Sequence, residues 1–101
     1  MIYREKPSAG TVEELFNVSG NVVAHCILYM CNTNDIYADS ATVYLLKDGE
    51  TDVTNKQIYD MIKIPPNDTF ITSPIMLDSN EKILVRSNNG DIVFTLMVNI
   101  T

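Results

Sequence analysis

The sequence predicts an all-β domain of short antiparallel strands, and three observations carry that prediction. Val, Ile, Thr and Tyr are plentiful and Trp is absent, the composition of pleated, half-buried segments. Gly, Pro, Asn and Asp recur at short intervals as turn residues. Ile92, Phe94, Leu96, Val98 and Ile100 alternate with Val93, Thr95, Met97 and Asn99, a period of two that puts one apolar stripe on one face.

In chain order, Met1 to Gly10 is too short to build a core element of its own. It is expected as an arm on which Arg4 and Lys6 concentrate positive charge, with residues 11–101 forming the single domain. Thr11 and Glu14 have the spacing of a helix capping box, yet isolated helices this short are marginal, so a strand is favoured from Thr11 to Phe16. Asn21 to Asn32 is apolar on both faces, as a central strand covered on two sides would be. Asn32 to Ser40 is polar and reads as an exposed loop. Ala41 to Lys47 is a further strand, closed by Asp48-Gly49. Gln57 to Ile64 is a candidate strand stopped by Pro65-Pro66-Asn67-Asp68, although Thr54 to Ile62 also permits one helical turn with Ile58 and Ile62 on one face. Thr69 to Thr72 and Pro74 to Leu77 are short strand pieces around a bend. Asn89-Gly90 suits the two central positions of a type I′ turn. That turn pairs Asn88 with Asp91, Val85 with Phe94 and Ile83 with Leu96, leaving Lys82, Leu84 and Arg86 on a more polar face, so a β-hairpin is predicted here.

Composition narrows the function classes. A chain of 101 residues is one ordinary domain. With 13 acidic against 7 basic residues it carries a net charge of -6, which repels phosphate backbones and argues against a nucleic-acid partner. No run approaches the ~18–20 apolar residues of a membrane span, and the first residues lack the apolar region of a signal peptide.

Chemistry-bearing residues are sparse. His25 is the one histidine and lies inside the apolar segment, where it reads as structural. Zinc-ligand spacing and a glycine-rich phosphate loop are both missing, and no cofactor is expected. Asn32 to Asp35 and Asp48 to Asp52 offer oxygen ligands but lack the EF-hand pattern, so they read as solvated acidic loops. Asn17, Asn67 and Asn99 open formal glycosylation sequons that chance explains. Cys26 and Cys31, five apart on one strand, would sit about 16 Å apart on opposite faces, beyond the ~7 Å that a disulfide spans.

The motif order resembles a family of tailed-bacteriophage virion proteins of similar length. Its elements are Lys6-Pro7-Ser8-Ala9-Gly10, the strand Thr11 to Val18, and the turn Ser19-Gly20. Then come Tyr29-Met30-Cys31-Asn32-Thr33, Ala41-Thr42-Val43-Tyr44-Leu45-Leu46, Ile58-Tyr59, Ile64-Pro65, Asn67-Asp68-Thr69, and finally Leu77, Glu81, Ile83 and Ser87. Asn80 stands where the family often has Gly, and Asp48 to Lys56 is a long loop.

The resemblance implies a small antiparallel β-sandwich, jelly-roll or immunoglobulin-like, with about seven or eight strands and no catalytic residues. It also implies assembly in several copies on a virion put together in the host cytoplasm. The leading expectation is a capsid decoration or cement protein that binds the shell as a homo-oligomer, a trimer favoured. Major capsid or tail proteins would be its partners. A tail, neck, baseplate or fibre-attachment protein, and a carbohydrate- or receptor-binding module, are the alternatives. Partner contacts are expected at Arg4 and Lys6 on the arm and at Asp35, Ile36 and Tyr37, since two apolar side chains in a polar loop call for a partner.

Overall fold

A computed structural model describes all residues from Met1 to Thr101. The chain forms β1 (Ile2–Glu5), β2 (Glu13–Asn17), β3 (Ala24–Asn32), β4 (Asp39–Leu46), β5 (Gln57–Ile64), β6 (Thr69–Ile71), β7 (Ile75–Leu77), β8 (Lys82–Ser87) and β9 (Ile92–Ile100), with no helix. A five-stranded sheet runs β1-β9-β3, with β6 and β7 placed one after the other along the far edge of β3. A four-stranded sheet runs β2-β8-β4-β5. Every pairing is antiparallel.

Counted as one interrupted strand, β6 and β7 make the wiring simple. The first strand pairs the last, the second the next to last, the third the sixth and the fourth the fifth. A long hairpin wound onto itself in this way is a double-sheet jelly roll. The immunoglobulin strand order is different, so of the two sandwich topologies expected the chain adopts the jelly roll. The break between β6 and β7 holds Pro74, which has no N–H for the ladder. Thr72 spans it: its N–H donates to the Leu28 carbonyl at 3.0 Å and its Oγ1 accepts from the Leu28 N–H at 3.1 Å.

The core lies between the two sheets. From one wall come Cys26, Leu28 and Met30 of β3 with Ile92, Phe94 and Leu96 of β9; Val43, Ile83 and Val85 face them from the other. Alternation therefore places the buried stripe of the last strand where the sequence predicts from Ile92 to Val98, while Ile100 at its end is exposed.

Four expectations change. The predicted hairpin between β8 and β9 does not form, because the two strands belong to opposite sheets. Of its turn residues only Gly90 is left-handed, at φ 78°, whereas a type I′ turn needs two. Residues 88–91 instead cross between the walls, pinned by the buried carboxylate of Asp39, which accepts N–H groups from Ser40 (2.7 Å), Asn89 (2.9 Å) and Asp91 (3.1 Å). Alternation identifies an inward face, and Val85 and Phe94 do both point inward, but from facing walls.

The expected arm carries an edge strand. β1 pairs with β9 from Ile2↔Met97 to Glu5↔Phe94, and Tyr3 turns inward against Phe16 with ring centroids 4.7 Å apart. Four residues suffice because β9 offers a ready-made edge of unpaired backbone groups. Third, the helical turn permitted over Thr54 to Ile62 is absent: β5 starts at Gln57, and a bulge puts Met61 at φ 50° with its N–H on Thr42 Oγ1. Fourth, β3 is central but covered on one side only, since its residues alternate between buried and partly or fully exposed.

Candidate functional site

Two surfaces stand out, one at an end of the sandwich and one on its side. The connections β1–β2, β3–β4, β5–β6 and β8–β9 gather at the same end, tied by the Asn67 N–H on the Asn34 carbonyl and the Asn88 N–H on the Ser40 carbonyl. Asn32, fully buried, organises this end. Its Nδ2 donates to the Tyr37 carbonyl (2.9 Å) and the Ile64 carbonyl (3.0 Å), and its Oδ1 accepts the Asn34 N–H (2.9 Å). Asn34 repeats the device one step outward, its Oδ1 accepting the N–H groups of Ile36 (2.8 Å) and Tyr37 (2.9 Å). Asn34 Nδ2 and Thr33 Oγ1 anchor the loop to Asp91 across the end. A tightly hydrogen-bonded turn thus holds Ile36 73% and Tyr37 68% exposed.

The predicted contact residues divide between the two surfaces. Asp35, Ile36 and Tyr37 are exposed in the β3–β4 connection, and Lys6 follows β1 toward the same end. Arg4 does not join them. It lies on the outward face of the five-stranded sheet, donating from Nε to Thr95 Oγ1 at 3.2 Å.

That outward face is the surface that sequence reasoning missed. Register places Ile27, Met97 and Ile2 in one row across β3, β9 and β1. Met76 of β7, opposite His25, Ile71 of β6, opposite Tyr29, and Met1 flank that row, and a groove of about 550 Å³ runs between Ile2, Ile27, Pro74 and Met97. His25 is exposed here between Met76 and Asn99, not enclosed as the sequence suggests. No outward position on β1, β3, β6, β7 or β9 carries a carboxylate. The available signal was the second apolar face of Asn21 to Asn32, which implied a covering layer that this chain does not supply.

The other reactive groups face the core, lie at the end of the outward face or are used locally. Cys26 faces the core, where burial pushes its thiol up to about 11, while Cys31 lies half-buried on the opposite face. Glu13 and Glu5 meet where the β1 and β2 edges approach. A side-chain hydrogen bond to Glu5, with burial and repulsion between the two carboxyls, holds Glu13 above the usual carboxylate range. In the β4–β5 connection, the Lys47 N–H and the Lys56 ammonium hold Glu50 below that range, and the Thr54 N–H does so for Asp52. The oxygens of Asn34 and Asp52 are thus engaged by their own turns.

No family model matches the sequence, and no curated protein matches it either.

Proposed function

We propose that the chain is a non-enzymatic structural subunit of a tailed-phage virion, a decoration or cement protein that docks on the capsid shell as a homo-oligomer. The observation that carries the reading is the loop from Asn32 to Tyr37. Burying one asparagine and capping the turn with a second costs conformational freedom, yet the product is a loop that displays Ile36 and Tyr37 to water. A rigid loop offering an aliphatic and an aromatic side chain is the form of a binding anchor, because its ordering entropy is already spent. Asp35 within it and Lys6 toward the same end supply charges of both signs. The motif order of the sequence and a jelly-roll topology, frequent in capsid and lectin domains, agree with that role. Fold alone does not assign it.

The test is co-sedimentation of the purified chain with phage heads that lack it. Retention on heads, lost in Tyr37→Asp and Ile36→Asp, is the expected result. Retention on tails alone moves the protein to the tail. A chain that binds no virion part, and whose absence leaves head stability unchanged, removes the reading.

A further inference from the structure

The outward face of the five-stranded sheet is separate from the docking loop, and we infer that it is where a second copy of this chain packs, face to face about a two-fold axis. The inference stands on this face alone and does not depend on the virion reading.

Area is the first argument. Met1, Ile2, Ile27, Ile71, Met76 and Met97 are each 36–63% exposed, a patch on the order of 600 Å², the upper end for a lone chain. With His25, Tyr29, Pro74 and Asn99 around it, the face approaches the ~800 Å² that each partner buries in a stable dimer.

Charge selects the occupant. The chain carries -6, and its other surfaces hold carboxylates: Asp35, Asp68 and Asp91 at the loop end, Asp48, Glu50, Asp78 and Glu81 at the far end, Glu14 and Asp60 on the four-stranded sheet. Two copies approaching through any of these would set carboxylates against each other. A basic partner would be drawn to those acidic surfaces and not to the one surface without acids. The charges of this face, Arg4 on Thr95 and the Met1 ammonium on the Val98 carbonyl, sit at its β1 edge; the rest is uncharged and apolar, complementary to itself, and a patch that meets itself closes as a pair. The unbroken register of β3 on β9, nine consecutive residue pairs from Ala24↔Ile100 to Asn32↔Ile92, gives it a regular platform.

Sedimentation velocity of the full chain from about 1 to 100 µM reads the result. The expected species has twice the 11.3 kDa chain mass. Met97→Asp and Ile27→Asp, each setting a charge against its symmetry mate, should weaken association by at least ~100-fold while the circular dichroism spectrum and melting profile stay those of a folded sandwich. Should either variant unfold, Met76→Asp at the more exposed edge of the same face makes the same test. Ile36→Asp at the loop end should leave the pair intact. A monomer throughout the range, a trimer, or a pair broken by Ile36→Asp and not by the sheet variants would overturn the inference.

Discussion

The two outer faces of the sandwich solve the same problem in opposite ways. On the four-stranded sheet, Tyr44 and Leu46 point away from the core, opposite Leu84 and Lys82, yet they are only 7% and 1% exposed. The protein's own chain covers them, and the exposed positions around them carry charge, as in the Lys82–Glu14 pair at 3.8 Å. None of the large exposed hydrophobic side chains lies on β2, β4 or β8; only the edge strand β5 exposes any, Ile58 and Met61. The five-stranded sheet does the reverse: its outward positions carry no acid, and six apolar side chains are left in water. Irregularity follows the same division, since β2, β4 and β5 contain register shifts and β3 and β9 contain none.

Paired substitutions sharpen that contrast. The largest effect on stability is expected at Leu46→Ala, about 2–5 kcal/mol by urea denaturation, because a cavity opens under the chain's own cover. Met76→Ala on the bare face should stay within about 0.5 kcal/mol at concentrations where the chain is monomeric. Equal costs would erase the distinction between the faces. Asp39→Ala, which strips three N–H groups of their acceptor at the joint between the sheets, should cost about 3 kcal/mol. A smaller, pH-dependent effect belongs to Glu13. Its carboxyl is held above 4.5 in the folded state, so the stabilisation it lends the fold is complete below pH 4.5 and is lost as pH rises through the raised value. Glu13→Gln should flatten that loss and melt at a higher temperature than the wild type at neutral pH. The smallest signal is chemical. Iodoacetamide should modify Cys31 well before Cys26, whose thiol is both buried and raised to about 11. Equal rates would mean that the core around Cys26 opens readily.

What could be read from the sequence is divided along physical lines. Ile92 to Ile100 and Lys82 to Ser87 announce their inward faces because side chains alternate with a period of two, and that information is local. Which sheet each strand joins is not local. Asn89-Gly90 looks like a hairpin turn, but the groups that decide its geometry include the carboxylate of Asp39, fifty residues upstream. Ile2 to Glu5 is too short to show a pattern, and only the open edge of β9 makes it a strand. The exposure of Ile36 and Tyr37 was legible because apolar side chains in a polar loop stay in water wherever the loop goes. The bare face was half legible. Val, Ile, Leu and Tyr on both sides of Asn21 to Asn32 called for two covering layers, and composition does not distinguish a layer from the same chain from one supplied by a second copy.

The five methionines are natural probes of the central claim that the five-stranded face is the contact surface. Met76 and Met97 lie on that face, Met1 at its margin, Met30 in the core, and Met61 on the bulged edge of the other sheet. Methyl-labelled methionine spectra recorded over a dilution series should show the Met76 and Met97 signals moving with concentration while Met30 and Met61 stay fixed. Signals that stay in place at every concentration, or movement confined to Met61, would contradict it.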